Sequence, residues 1–430
     1  MYRQKQESTS NTSMFIGGSP RTYITERLKL ATKDRKIERL IIRRRNIDAS
    51  MNGYIQDLLA SRDSWKLIEL NTSSIAVARI IKNALLYVRH VDRLVIIEPN
   101  PSLVSLLTTT VLGKNTNDHY AKVQAVSIIS GSFSIHQASA LNQGLSHNPS
   151  CSLTNLRLTK CTFSNSKLCS SSTVLREAGI GLRNCMSLKQ LSLCQCHLED
   201  EEVAIIVTQL RDHATLESLD LSVNYCQLEG TKAIAKMLGS SKALKCLDLS
   251  CQDVWDDRSY FVHICEALKN PDCRLEALDI ASNFLNDQHL GMLMDCLEVN
   301  TTVQKVVLSD NSISDIGMAS RSSSLPSLSL RCLDITNNAY TSVQILESGM
   351  ARNTSFCSLQ LDNHSPQLVY FLALNQNGRY LKVPNSLPIS MWPVVLERTA
   401  HCLKGEQKSA GITPADIIFD LLHGPALLDL

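Results

Sequence analysis

Cys194, Cys196 and His197 lie within four residues of one another, and two thiolates with an imidazole are a ligand set suited to zinc. Alternation along an extended chain sends Cys194 to one face while Cys196 joins the turn that follows, so the three do not converge on one ion. A cysteine nucleophile needs a base within hydrogen-bonding distance, and the sequence places no histidine to supply one. Phosphate-cradling GxxxxGK(S/T), GxGxxG after a strand, GxSxG and HExxH are all absent from the chain. The expectation is therefore a chain without catalysis, bound metal or cofactor. The side chains left to do chemistry are charged: Asp220, Asp248, Asp279 and Asp334, and the run Arg43, Arg44 and Arg45.

Those aspartates occupy one place in a recurring phrase. LKQLSLCQC from Leu188, LESLDLSVN from Leu216 and LKCLDLSCQ from Leu244 carry leucine at places one, four and six and a polar residue or cysteine at place nine, at steps of about 28 residues. In a strand, places four and six point into one core and place five points away from it. The ninth residue stands where the chain leaves the strand, and a column of asparagines there can bond backbone groups that the turn leaves unpaired. A cysteine thiol substitutes weakly. The phrase continues from Leu275, Val303, Leu330 and Phe356, and in looser form backwards through Leu153, Val123, Val91, Trp65 and Ile37, giving about twelve repeats.

The remainder of each repeat reads as helix. EEVAIIVTQL (Glu201 to Leu210) and GTKAIAKML (Gly230 to Leu238) carry apolar residues at three- and four-residue steps, a stripe that lies against the strands. Two longer steps place a polar loop at Ser164 to Ser172 and an insertion around Trp255, which stands among Asp253, Asp256 and Asp257. Trp255 reads either as an exposed contact residue or as a ring folded on its own helix. The stretch Ala319 to Ser327 is a poor helix, expected to be loose. Past His364 the phrase stops, and helices are expected near QLVYFLALNQNG, VVLERTAHCL and PADIIFDLLHG, the last starting with Thr413 as N-cap and Pro414 at its first position.

Composition narrows the setting. Fifteen scattered cysteines without a small-domain framework suggest reduced thiols and a cytosolic or nuclear location. The first residues have no apolar signal core and no apolar run is long enough to span a bilayer, so a membrane is not expected as a partner. Net charge is +2, yet residues 1–45 hold twelve Lys or Arg against four acids, about +8, which leaves about −6 for the rest. The basic run reads as an acidic-surface or nucleic-acid contact or as a solvated end of the array. No aromatic residues interleave it for base stacking, which argues against nucleic acid. Nothing in the sequence calls for a small-molecule ligand.

These strands and repeats resemble the ribonuclease-inhibitor-like leucine-rich repeat proteins over roughly residues 37–364. The tail, with LALNQNGRYL, SMWPVVLER and DIIFDLLHGPALL, is similar to the C-terminal segment of uncharacterised microalgal repeat families. The resemblance implies an α/β fold, a right-handed solenoid or horseshoe with a parallel sheet on its concave side and helices outside. We expect a mobile basic segment over 1–33, repeats over 34–364 and a helical C-terminal cap over 365–430. The resemblance also implies a binding scaffold, with a protein partner on the concave face or rims.

Taken along the array, the candidate contact residues are Arg157, Ser192, Asp220, Asp248, Trp255, Asp279 and Asp334. The acidic run would steer a basic partner, or it is the ordinary wording of the repeat. Ile41, Val95, Ile97 and Ile129 would form an exposed apolar patch or be covered. The GTPase-activating protein of Ran shares the repeat type, which makes activation through a rim arginine such as Arg43 the alternative function. That family's arginine-bearing N-terminal loop and acidic tail are not found in this sequence.

Overall fold

The computed structural model describes residues 13–16, 38–43, 52–61, 63–71, 88–99, 122–146, 151–163, 170–252, 258–363, 365–377, 379, 392–402 and 413–423. The chain divides into two compact units, Met1–Ala233 and Ile234–Leu430. In the first unit β1 (Ser13–Ile16), β2 (Arg39–Arg43), β3 (Ser64–Asn71), β4 (His90–Ile97), β5 (Lys122–Ile129), β6 (Asn155–Thr159), β7 (Gln190–Ser192) and β8 (Ser218–Asp220) lie side by side in chain order, all parallel. In the second, β9 (Cys246–Asp248), β10 (Ala277–Asp279), β11 (Lys305–Val307), β12 (Cys332–Asp334) and β13 (Ser358–Gln360) do the same. Strands β2 to β13 fall on the twelve phrases read from the sequence. β1 differs from expectation: its residues lie in the segment read as mobile, yet Ser13–Ile16 pair with β2 and Met14 is buried.

Among the described residues, helices fill the second half of the repeats. In the first unit these are α1 (Asn52–Ala60), α2 (Ile135–Ser146), α3 (Ser171–Asn184) and α4 (Asp200–Leu210), and α5 (Leu228–Ser240) follows β8. In the second they are α6 (Arg258–Lys269), α7 (Asp287–Leu297), α8 (Asp315–Arg321) and α9 (Glu347–Arg352). Ser170, Ser171 and Ser172, read as part of a loop, instead cap and begin α3, with Ser170 Oγ accepting the Thr173 N–H. The poor helix at Ala319 to Ser327 divides into the end of α8 and a 3-10 turn over Ser322–Ser327, where Pro326 cannot donate an α-helical bond. Gly349 in α9 is required by packing, because a Cβ there would meet the Ser322 carbonyl oxygen at 2.2 Å.

The leucines of each phrase form the core, with Leu188, Leu191, Leu193, Leu216, Leu219 and Leu221 all 1% exposed or less. Such a stripe stabilises only when stacked on the next repeat, at about 25 cal/mol per Å² of apolar surface removed from water. The place-nine column closes the turns. Asn224 donates to the carbonyls of Leu193 (2.9 Å) and Leu221 (2.8 Å) and accepts the N–H groups of Cys196 (3.2 Å) and Leu198 (3.0 Å). Asn311 repeats this in the second unit, donating to Leu308 (2.9 Å) and Ile280 (3.2 Å) and accepting from Asn283 (3.0 Å) and Leu285 (2.9 Å). Where cysteine stands, the thiol donates to a carbonyl of the preceding strand, Cys161 to Ile128 (3.4 Å) and Cys196 to Leu158 (3.2 Å). The residue just before this column adopts positive φ in strand after strand, Lys160, Gln195, Val223, Cys251, Ser282, Asp310 and Asn337 among them, because the chain must swing out of the sheet there.

Beyond β13 come α10 (Pro366–Gln376), α11 (Trp392–Cys402) and α12 (Pro414–His423), with Ala373, Leu374, Val395, Ile417 and Leu421 as a shared core. The expected start of α12 is present. Thr413 Oγ1 accepts the Asp416 N–H at 3.3 Å, and the Asp416 carboxylate accepts the Thr413 N–H at 2.8 Å. Gly378 and Gly424, the last residues of the stretches QLVYFLALNQNG and PADIIFDLLHG, lie outside the described residues.

Candidate functional site

Parallel pairing in register brings the place-five residues of neighbouring strands side by side. In the first unit Arg157 stands beside Ser192, and Ser192 beside Asp220. Arg157 is exposed, but Ser192 is only 7% exposed and its hydroxyl donates to Asp220 Oδ2 at 2.6 Å. Ser192 therefore offers little contact surface, because its polar group is spent on the neighbouring strand. Asp220 Oδ1 also accepts the N–H (3.0 Å) and hydroxyl (2.6 Å) of Ser222.

In the second unit Asp248 stands beside Asp279, Val307 follows, and Asp334 comes next. Asp248 Oδ1 accepts from the N–H (3.0 Å) and hydroxyl (2.7 Å) of Ser250, and Asp334 Oδ1 likewise from Thr336 (3.1 and 2.8 Å). The serine or threonine two residues on thus locks the carboxylate against its own strand end. Asp279 differs, since Ala281 follows it and supplies only a backbone N–H, at 3.1 Å. Burial raises the Asp279 pKa above the usual carboxylate range, opposed by the Ala281 N–H, raised further by Asp248, lowered by Lys305 and raised again by Asp334. All three carboxylates are half-exposed.

Trp255 lies outside the described residues, as do Arg44 and Arg45, while Arg43 ends β2. Ile41 and Val95 are 8% and 9% exposed, and Ile97 and Ile129 are half-buried, so the early strands present no open apolar patch through these residues. Cys196 points inward to Leu158, whereas His197 stacks on Tyr225 with ring centroids 6.4 Å apart. Among the described residues no three His, Cys, Asp or Glu side chains are grouped to hold a metal. Place two is occupied by charges already paired across strands: Glu38 with Lys66 (2.7 Å) and Lys189 with Glu217 (3.1 Å) in the first unit, Lys245 with Glu276 (3.2 Å) in the second. Exposed pairs of this kind add little stability but leave the rim near neutral.

A second buried polar column escaped the sequence reading. Three residues before the first leucine-like residue of a phrase, His213, Asn300 and Asn353 each tie the end of one helix to the next strand. Asn300 begins the sequon Asn-Thr-Thr, yet it is only 7% exposed and its amide is spent on the Leu268 carbonyl at 2.7 Å.

No family model matches the chain. It is similar to NACHT, LRR and PYD domains-containing protein 9B of Mus musculus, 31% identical over 244 residues that make up 54% of this chain and 23% of that protein. It is also similar to ribonuclease inhibitor of Mus musculus, 29% identical over 201 residues, 44% of this chain and 40% of that protein. The chain therefore spans less than half the length of either relative. Among solved structures, an internalin (inlF) from Listeria monocytogenes covers 79% of this chain and 95% of its own at 14% identity, with a TM-score of 0.40. No helix among the described residues is long and apolar enough to cross a membrane. The strand phrase, the asparagine and cysteine column and the sequence relatives agree on an α/β leucine-rich repeat fold, and the chain is similar to ribonuclease inhibitor.

Proposed function

We propose that this chain is a non-catalytic protein-binding scaffold whose second unit receives a basic partner on the strand face that carries Asp248, Asp279 and Asp334. The observation behind this reading is the raised carboxyl of Asp279. Three like charges are held on one half-buried face, two of them locked toward their strands, and their repulsion is relieved when a cationic side chain arrives. Arg157 and Asp220 of the first unit are secondary contact candidates, and Trp255 keeps its standing as a candidate from sequence. The helices α10 to α12 serve as the cap of the last repeat. In support, Asn375 donates to Phe356 O (2.9 Å), Gln376 to Cys357 O (2.6 Å), and Arg379 to the carbonyls of Asn353 and Ala351 while lying 5.9 Å over the Phe371 ring. A reducing compartment, cytosol or nucleus, fits the cysteines, thirteen of which are free.

The test is capture from native cell extract at low and moderate salt, by the wild type and by a variant combining Asp248→Asn, Asp279→Asn and Asp334→Asn. Asparagine keeps an oxygen to accept the Ser250, Ala281 and Thr336 donors, so the fold persists while the charge goes. A basic protein held by the wild type at low salt, and lost both to the variant and to added salt, supports the reading. Equal capture by both overturns it and leaves the aspartates as strand-end bonding groups.

A further inference from the structure

One member of the junction column is a histidine. Asn300 donates Nδ2–H to Leu268 O (2.7 Å), and its Oδ1 accepts the N–H groups of Thr302 (2.9 Å) and Val303 (2.8 Å). Asn353 does the same with Leu325 O (2.7 Å), Ser355 N–H (2.9 Å) and Phe356 N–H (2.8 Å). In the first unit the post is held by His213, 3% exposed, with Nε2 3.1 Å from Leu182 O and Nδ1 facing the N–H groups of Thr215 (3.2 Å) and Leu216 (3.1 Å). Two N–H groups converging on Nδ1 require a lone pair there. The ring must then be neutral, with its proton on Nε2.

We infer that His213 makes its junction an acid-labile joint of the first unit, opening the turn into β8 when Nδ1 takes a proton, whereas the joints at Asn300 and Asn353 in the second unit hold. A protonated Nδ1 sets its N–H against those of Thr215 and Leu216, and these two donors lose their acceptor. An amide in the same post has no such state.

Burial holds the imidazole below its ordinary pKa, with the hydrogen bonds to the backbone at Leu182 and Cys185 acting the other way. Because the folded pKa is depressed below about 6.5, this contribution to stability is complete above that pH. It is lost as pH falls, since the open chain takes up the proton first. One excluded proton changes the closed-to-open ratio by up to about tenfold per pH unit.

The charged and titratable groups on the elements packed around the ring do not remove this effect. On the α3 side, Arg183 is exposed and the Cys185 thiol is raised by its contact with Cys151 and by burial, so it stays neutral. Cys151 is in turn lowered to about 6 by the Cys185 thiol, a titration common to every variant at position 213. At the end of α4, Arg211 and Asp212 pair with each other at 3.5 Å, and on the strands Lys189 pairs with Glu217 at 3.1 Å.

The experiment is hydrogen exchange of the full chain at pH 7.5, 6.5, 5.5 and 5.0, corrected for the intrinsic rate, reading the peptides that contain Thr215–Leu216, Thr302–Val303 and Ser355–Phe356. The expected result is a loss of protection at Thr215–Leu216 that steepens toward tenfold per pH unit below about 6.5, with the other two flat. His213→Asn should flatten the first peptide as well, since asparagine does the same work at 300 and 353. Uniform behaviour of the three wild-type peptides overturns the proposal even if the variant fails to fold. Persistence of the local loss in a folded His213→Asn protein overturns it equally and moves the acid response to Cys151.

Discussion

The two units answer the same backbone problem with different chemistry. In the second, amides hold the turns at Asn283, Asn311 and Asn338 and the junctions at Asn300 and Asn353, with the Ser241 hydroxyl at the junction before Leu244. In the first, cysteine holds the turn posts at Cys161 and Cys196, Asn224 holds the next, and histidine holds the junction at 213. An amide carries donor and acceptor at once and at every pH. A thiol donates weakly and accepts poorly, and an imidazole does both only while neutral. The repeat therefore dictates where a polar group must sit, and the residue chosen there sets how strongly and over which pH range the post holds.

The largest effect should come from emptying an amide post. Asn311→Ala leaves the N–H groups of Asn283 and Leu285 and the Ile280 carbonyl without the Asn311 side chain in a partly buried turn, while Leu308 O keeps its bond from Asn338. Unmet buried groups cost about 1–3 kcal/mol each where water cannot reach them, so we expect a loss of about 2–4 kcal/mol in denaturant unfolding. Cys196→Ala should cost clearly less, since one weak donor disappears. Equal losses at the two positions would break the contrast between the units.

Moving the titratable residue is the next test. Asn300→His places an imidazole between Leu268 O and the N–H groups of Thr302 and Val303, reproducing the surroundings of His213. We expect about 1 kcal/mol of loss at pH 7.5 from the larger ring. A further loss should appear below about pH 6.5 that the wild-type second unit lacks, because the buried ring is again held neutral. Unfolding followed at both pH values checks it. An unchanged acid response would mean that the post at 300 is wet enough to accept a charged ring.

Much of this was legible in the sequence, and the reasons for the gaps are specific. Leucine spacing marks twelve strands because each must bury places four and six, and the helices over Asp200–Leu210 and Leu228–Ser240 show their apolar stripes. β1 was not legible: SMFI lies in a polar stretch, and its partner bonds come from β2 rather than from any pattern of its own. The junction column was hidden because position is kept while residue type changes from His213 to Asn300 to Asn353. For the aspartates, the sequence shows LDLS but not that the serine closes onto the carboxylate. The one departure, Ala281 in LDIAS, was in plain view and marks the carboxylate with the fewest donors.

A smaller effect, of opposite sign, tests the cysteine posts. By register, an asparagine at 196 would offer the N–H groups of Cys161 and Phe163 the acceptor that Asn224 offers to Cys196 and Leu198. Cys196→Asn should therefore stabilise the first unit by about 0.5–1 kcal/mol, the net worth of an added hydrogen bond, read as a higher denaturant midpoint. A lower midpoint would mean that the thiol is chosen for the room it takes rather than tolerated as a weak donor.

The smallest expected change in stability bears most on function. Asp220 of the first unit is saturated by Ser192 and by both donors of Ser222, whereas Asp279 of the second has a backbone N–H and like-charged neighbours. The folded pKa of Asp279 is raised, so stability falls as pH rises from about 3.8 through that value, and at pH 7 the ionised group is a net cost. Asp279→Asn should then raise stability at pH 7 by a few tenths of a kcal/mol, discounted because the carboxyl is half-exposed and screened, and the gain should vanish near pH 3. Asp220→Asn should lower stability instead, since its donors lose a charged acceptor. If the Asp279 variant is more stable and also binds its partner less well, the unrelieved charge is kept for binding rather than for folding. If it is more stable and binds equally, the cost at Asp279 is an accident of Ala281, and the proposed acidic face loses its central residue.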